Sequence, residues 1–110
     1  MLNLDRYDSQ KPQHFDFRVV AERALQQAEL LVSKWLPNGR RHGNEWLALN
    51  PQRADRQPGS FSINLRTGRW ADFATGDCGG DLISLRAFLD GSTQRQAALS
   101  ICAELGGSAR

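Results

Sequence analysis

Residues 58–83, PGSFSINLRTGRWADFATGDCGGDLI, decide the fold of this 110-residue chain. Apolar and polar residues alternate at the start of the stretch, which predicts a half-buried strand whose inward residues are Phe61, Ile63 and Leu65. Arg66-Thr67-Gly68 fits a three-residue hairpin turn that ends on a left-handed glycine, and residues 69–73 return as a second strand. A glycine-containing loop follows, and Asp81 then caps a short helix. The stretch therefore predicts a hairpin, a loop and a helix.

Helices are predicted on both sides of this hairpin. Apolar residues recur every three or four positions over about 16–36, which indicates one long amphipathic helix, capped by Asp16, that covers the sheet. The segment 45–50 (EWLALN) is short and apolar and predicts a further strand. Thr93 and Gln96 have the spacing of a capping box at the start of a last helix. The segments between these elements, residues 37–44, 51–60 and 75–80, are predicted as loops.

Together these elements predict an α+β fold. A small antiparallel sheet of about three strands packs against a long N-terminal helix and two C-terminal helices. Residues 1–15 are polar and lack periodicity, so we predict a flexible N-terminal arm there. A single domain then spans residues 16–107, and a chain of this length has room for one modest core.

Composition and cysteine usage limit the class of protein. No apolar run reaches the roughly 18–20 residues of a membrane span, and the N-terminus lacks the pattern of a signal peptide. We therefore expect a cytoplasmic protein. Cys78 and Cys102 are the two cysteines, and in that compartment reduced thiols are favoured over a disulfide between them. Neither cysteine has a partner at metal-ligand spacing.

Positive charge is concentrated in the middle third of the chain. The whole chain has a net charge of +2, whereas residues 34–69 have a net charge of +5. The basic residues of this segment are Lys34, Arg40, Arg41, Arg53, Arg56, Arg66 and Arg69. Arginine outnumbers lysine by twelve to two, which favours bidentate contacts to phosphates or carboxylates. A solvated surface in an arginine-rich proteome is the alternative explanation.

A series of short motifs follows one order along the chain: Pro58-Gly59-Ser60-Phe61-Ser62, Trp70-Ala71-Asp72-Phe73, Gly79-Gly80-Asp81, and an alanine-rich helix after Asp90-Gly91. In this order and spacing, residues from about 40 to 106 resemble the zinc-binding domain of bacterial, phage and plasmid DNA primases, a Cys-His-Cys-Cys zinc finger. The resemblance covers about two thirds of the chain. It implies a zinc-ribbon-like sheet and contact with a single-stranded DNA template.

The zinc ligands that this resemblance implies are missing. Asn50 and Arg53 stand where the family has its first cysteine and its histidine, and Phe73 and Gly76 fall, within one residue, at the last two cysteines. Structural zinc takes four thiolate or imidazole ligands. We therefore predict a degenerate site with no metal and no cofactor. Buried aromatic residues are expected to stabilise the fold instead, namely Trp46, Phe61, Trp70 and Phe73.

Other chemistries have less support in the sequence. The loop before Asp81 could form a phosphate-binding nest at a helix N-terminus, but Asp81 as the cap would occupy its donors. Asp72, Asp77 and Asp81 could hold a hard cation, although their spacing fits no metal-binding loop. No serine or cysteine nucleophile has a base at a plausible spacing. We predict that this chain alone is not an enzyme.

The basic segment gives the main functional hypothesis. Arginines on a hairpin beside an aromatic residue are typical of a surface that binds single strands, because the cations contact phosphates and the ring stacks on a base. The candidate contacts are Arg41, Arg53, Arg56, Arg66, Arg69 and Trp70. For Trp70 a place in the core is the alternative.

Two functional hypotheses remain open. In the first, the chain is a non-catalytic module that binds single-stranded DNA in the replication or priming system of a plasmid, a phage or another mobile element. In the second, it is an accessory subunit that docks onto a DNA polymerase, primase or helicase and does not touch DNA. The first predicts salt-sensitive DNA binding, and the second predicts a stable complex with another replication protein.

Overall fold

The computed structural model describes residues 16–51 and 60–106 of the chain. The predicted arm over residues 1–15 lies outside these ranges. The described helices are α1 (Phe17–Gln26), α2 (Ala28–Trp35), α3 (Leu82–Asp90) and α4 (Gln94–Glu104). The described strands are β1 (Arg40–His42), β2 (Glu45–Ala48), β3 (Phe61–Asn64), β4 (Trp70–Asp72) and β5 (Cys78–Gly79). The fold is α+β, as predicted.

The five described strands form one antiparallel sheet in the order β1-β2-β3-β4-β5. Strands β3 and β4 are the predicted hairpin, and Gly68 in its turn has the expected left-handed conformation, with φ of 82°. The prediction of about three strands is wrong because it omits the two edge strands. Strands β1 (RRH) and β5 (CG) are short and have no apolar alternation, so their sequences resemble loops.

The N-terminal helix is two helices rather than the single long one predicted. Gln27 between them has φ of −117° and ψ of 29°, which is outside the α-helical region. Its N–H donates to the Ala24 carbonyl at 2.9 Å, and α2 resumes where Leu31 N–H donates to the Gln27 carbonyl. Ala24, Ala28 and Leu31 are all buried. The apolar stripe therefore continues across the break, and periodicity alone does not reveal it.

The core lies between the helices and one face of the sheet. Phe61 packs edge-on against Trp70 with ring centroids 6.0 Å apart, and Phe88 from α3 lies 4.9 Å from Trp70. Trp46 is also buried and donates its indole N–H to the Leu36 carbonyl. Of the four aromatics predicted to fill the core, these strands bury three. The fourth, Phe73, is 75% exposed, so its predicted place in the core is wrong.

The helix ends follow the signals in the sequence. Asp16 accepts hydrogen bonds from the first N–H groups of α1, and Thr93 and Gln96 form both bonds of the predicted capping box. Helix α3 ends at Gly91, whose φ is 65°. Among the helices that the structure describes, none is both long and apolar enough to cross a membrane.

Candidate nucleic-acid interface

The second face of the sheet points away from the core, and its described side chains range from buried (Ser62) to exposed (Arg40 and Cys78). Successive side chains on a strand alternate between the two faces, and cross-strand partners share a face. Because Trp46, Ile63 and Trp70 point into the core, their neighbours along each strand point outward. The register places one outward row across all five strands, consisting of Arg40, Leu47, Ser62, Ala71 and Cys78. We call this side of the sheet the open face.

Phe73 presents an aromatic ring on the open face. It directly follows β4, and its backbone N–H donates to the Ser60 carbonyl at 2.8 Å. Alternation turns Asp72 into the core and therefore turns Phe73 outward. The ring is 75% exposed, so it has the size and exposure needed to stack on a nucleobase.

Two arginine side chains share the open face with this ring. Arg69 precedes β4 and is exposed, and it lines the same depression as Phe73, a solvent-open cavity of about 340 Å³. Arg40 lies at the β1 edge of the outward row, opposite Leu47. The open face therefore combines an aromatic ring with cationic side chains, the combination that single-strand binding requires.

The residues predicted as DNA contacts do not all lie on the same face of the sheet. Arg69 lies on the open face and Arg66 is exposed in the hairpin turn. Arg41 is opposite Trp46, on the helix side of the sheet, where it forms an ion pair with Glu29 of α2. The remaining two predicted arginines, Arg53 and Arg56, lie outside the described residues.

Trp70 is the predicted contact that the structure corrects. It is only 5% exposed, its ring contacts both Phe61 and Phe88, and its indole N–H donates to Ser84 Oγ at 2.8 Å. A ring buried to this extent cannot stack on a base. The alternative interpretation, in which Trp70 is a core residue, is the correct one, and Phe73 is the ring that the surface offers.

A buried polar pair joins the ends of β2 and β4. Asn50 Nδ2 donates to Asp72 Oδ2 at 2.7 Å, and the Ala74 N–H donates to the other carboxylate oxygen at 2.9 Å. Both side chains are at most 1% exposed. The resemblance to the primase zinc finger predicts Asn50 at the first ligand position and Phe73, within one residue, at a later one. In the structure the side chain that meets Asn50 is Asp72.

An amide and a carboxylate do not fit a structural zinc site, which takes thiolates and imidazoles. Within residues 16–51 and 60–106, no three His, Cys, Asp or Glu side chains come together as a possible metal site. The three aspartates considered as cation ligands have separate roles. Asp72 pairs with Asn50, Asp77 accepts from Thr75 Oγ1 at 2.9 Å, and Asp81 accepts from the Ser84 N–H at 2.8 Å. The last bond is the predicted helix cap, and it occupies a donor of the proposed anion nest.

The two thiols are free and differ in environment. Cys78 is exposed in the outward row of the open face, and Cys102 is buried in α4. Burial raises the pKa of the Cys102 thiol, and the nearby positive charge of Arg23 only partly opposes that effect. Since the thiolate is the reactive form, both the raised pKa and the burial of Cys102 disfavour reaction at its sulfur, and the residue packs in the core.

Comparison with known proteins gives a likeness of fold. No family model matches the chain, and no curated protein matches it. Among solved structures, the crystal structure of the Aquifex aeolicus primase, comprising its zinc-binding and RNA polymerase domains, matches with a TM-score of 0.67 and 20% sequence identity. The match covers 84% of this chain and 22% of that one. The chain thus has an α+β fold similar to that of a primase zinc-binding domain, and it spans about a fifth of the primase it matches.

Proposed function

We propose that this domain is a non-catalytic module of a DNA replication or priming system, and that its open face binds single-stranded DNA. The observation that supports this most directly is Phe73, an exposed ring between strands that otherwise bury their aromatics. Arg69 lies beside the same depression and supplies a cation for the phosphate backbone. The fold similarity to a primase zinc-binding domain supports a replication or priming setting.

The proposed ligand is a single strand because the open face is a shallow sheet surface. Bases in a duplex are stacked on one another, so a protruding ring cannot reach their faces, whereas an unpaired base can stack on Phe73. The open face is formed by strands, so it does not offer a helix that could enter the major groove of a duplex. The net charge of the chain is only +2, so affinity depends on the local arginines rather than on the field of the whole molecule.

We propose further that the domain folds without structural zinc. The pair formed by Asn50 and Asp72 supports this, because it ties together the two chain segments that the metal would otherwise join. Metal analysis of purified protein is the test: less than about a tenth of an equivalent of zinc is expected, and one equivalent retained through chelation contradicts the proposal.

The second hypothesis, a docking subunit for a polymerase, primase or helicase, has its own supporting observation. Leu30 on α2 is 63% exposed and lines a groove of about 350 Å³ between α1, α2 and the end of α4. This groove shares no lining residue with the depression that holds Phe73 and Arg69. The two hypotheses therefore concern different surfaces and are tested separately.

DNA binding is tested by fluorescence anisotropy with a labelled oligothymidine and a duplex of the same length, at low and physiological salt. We expect tighter binding to the single strand and weaker binding as salt rises. Phe73→Ala should lower the affinity about tenfold through loss of base stacking. Arg69→Glu should lower it by a similar factor and reduce the salt dependence, since one phosphate contact is lost.

Matched controls come from the helix side of the molecule. Leu99→Ala removes another exposed apolar side chain, 49% exposed on α4, and Arg18→Glu reverses an exposed charge on α1. Neither change should alter affinity by more than about twofold. Equal losses in the controls and in the open-face variants would contradict the assignment of the interface, and an absence of any salt-sensitive binding would contradict the proposed function itself.

A further inference from the structure

The open face carries one carboxylate at a fixed position. Glu45 on β2 is half-buried, and its two oxygens accept hydrogen bonds from Ser62 Oγ and from Asn64 Nδ2, the latter at 3.3 Å. All three side chains line the same depression as Arg69 and Phe73. Two donors from the neighbouring strand thus hold the Glu45 carboxylate in one orientation on the surface proposed to bind DNA.

A carboxylate on such a surface opposes binding unless it meets a donor. It repels phosphates, and a contact that only repels would weaken the interface. An ionised carboxylate has about four acceptor positions. Ser62 and Asn64 use two of them, so acceptor capacity remains on Glu45. The donors that DNA itself offers are the N–H groups on the edges of unpaired bases.

Glu45 lies too far from the stacking ring for one base to contact both. Glu45 is opposite Asn64, whereas Phe73 is level with Ser60, whose carbonyl accepts the Phe73 N–H. Four residues of β3 separate these two levels, a distance of roughly 13 Å along the strand, and the two side chains also lie two strands apart. A base stacked on Phe73 therefore does not reach Glu45, but a base further along the same single strand does.

We propose that Glu45 is a specificity-determining residue that recognises an unpaired guanine further along the single strand whose preceding base stacks on Phe73. This inference rests on the proposed function. Guanine presents two neighbouring donors, N1–H and N2–H, on its Watson–Crick edge, and a carboxylate accepts both at once. Cytosine and adenine each offer one amino group beside a ring acceptor. Thymine offers one N–H between two carbonyl oxygens, which repel the Glu45 carboxylate.

The test uses a short oligothymidine that carries a single central guanine, adenine, cytosine or thymine. Wild-type protein should bind the guanine oligonucleotide about tenfold more tightly than the all-thymine one, the discrimination that a bidentate pair provides. In Glu45→Ala the guanine-to-thymine ratio should fall to about one, while affinity for the all-thymine strand rises because a negative charge has been removed. The ratio, rather than the affinity, is the diagnostic measurement, since a residue that only supports the sheet would not change it.

Two further variants make the outcome decisive. Glu45→Gln keeps the size of the side chain and an acceptor for Ser62, so it preserves the fold and should also lose most of the guanine preference. Glu22→Gln on α1 neutralises an exposed carboxylate away from the open face and should retain the preference. Wild-type binding that is equal for all four bases, or a preference unchanged in both Glu45 variants, overturns this inference and leaves the proposed function standing. Absence of binding to every strand overturns both.

Discussion

At the residue scale, the carboxylate of Asp72 is a buried charged group of the core and needs hydrogen-bond donors. It is fully buried, and Asn50 and the Ala74 N–H supply two of its hydrogen bonds. A buried polar group left without partners costs about 1–3 kcal/mol. We predict that Asp72→Ala lowers the free energy of unfolding by about 2–3 kcal/mol, because it leaves the Asn50 amide and the Ala74 N–H without this acceptor. Urea unfolding followed by tryptophan fluorescence measures the change.

The control for this prediction is Asp77, an exposed aspartate five residues further along the chain, whose carboxylate bonds only to Thr75 among the contacts described here. Asp77→Ala should change stability by less than about 0.5 kcal/mol. Asp72→Asn, which keeps an acceptor for Asn50, should fall between the two. A loss for Asp72→Ala no larger than that for Asp77→Ala would show that the Asn50–Asp72 pair does not stabilise the fold.

Phe73 and Asp72 show that the polarity of a single residue can predict the wrong face of a strand. An apolar phenylalanine beside an acidic aspartate favours the prediction that the phenylalanine is inside. The alternation of Trp70, Ala71, Asp72 and Phe73 on one strand requires the opposite once Trp70 is inside. The two-residue alternation of this segment therefore indicated that Asp72 is inside and Phe73 outside. Burial of the Asp72 carboxylate is possible because Asn50 donates a hydrogen bond to it. The identity of that partner is a long-range fact that one sequence does not contain.

At the scale of elements, the junction between β5 and α3 depends on the first glycine of the Gly79-Gly80 pair. A Cβ atom at Gly79 would overlap Trp70 Nε1 and Ser84 Oγ, which hydrogen-bond to each other at 2.8 Å. Gly79→Ala should therefore destabilise the protein by about 2–3 kcal/mol, since either the indole or the serine must move. Thermal unfolding monitored by circular dichroism measures the loss.

Gly80 is the matched control for this change. A Cβ atom at Gly80 meets nothing within 4 Å, so Gly80→Ala should lie within about 0.5 kcal/mol of the wild type, and the reduced freedom of the unfolded chain offsets part of any cost. Equal destabilisation by the two substitutions would indicate that backbone freedom, rather than the contact of Gly79 with Trp70, sets the geometry of the junction.

Elements with strong local signals could be predicted, and elements that depend on pairing could not. The hairpin around Gly68, the cap at Asp81 and the capping box at Thr93 each follow from side chains within a few residues. Strands β1 and β5 exist because a neighbouring strand offers them hydrogen bonds, and nothing in RRH or CG indicates that neighbour. The same limit applies to the candidate site: Arg69 could be found from its position in the hairpin, whereas Arg40 and Glu45 join it only through the sheet register.

At the scale of the whole molecule, one carboxylate links three helices. Glu104, the last residue of α4, accepts from Trp35 Nε1 of α2 at 2.8 Å and from Arg86 Nη1 of α3 at 2.7 Å. The Arg86 guanidinium also lies 5.3 Å from the Trp35 ring centroid and bonds to Asp90 at 2.7 Å. Burial alone lowers the pKa of Arg86, but the hydrogen bonds to Asp90 and Glu104 outweigh it and raise the pKa, so Arg86 stays charged at every working pH.

Removal of the Glu104 side chain should therefore lower the free energy of unfolding of the whole domain. The side chains of Arg86 and Glu104 are each 18% exposed, whereas that of Asp90 is 39% exposed. Glu104→Ala leaves a largely buried guanidinium with one partner and leaves the Trp35 indole N–H without this acceptor, so we predict a loss of about 2 kcal/mol. Asp90→Ala removes only a solvent-facing i,i+4 pair and should cost about 0.3–0.5 kcal/mol.

The measurement is urea unfolding of both variants, followed in parallel by tryptophan fluorescence and far-ultraviolet circular dichroism. Because Glu104 joins α2, α3 and α4, its loss should shift both probes to the same lower midpoint with an unchanged slope, as a single cooperative unit requires. Separate midpoints for the two probes in Glu104→Ala would mean that the helices unfold independently of the sheet. Equal losses for the Glu104 and Asp90 variants would mean that the contacts of Glu104 with α2 and α3 add no stability beyond that of a surface i,i+4 ion pair.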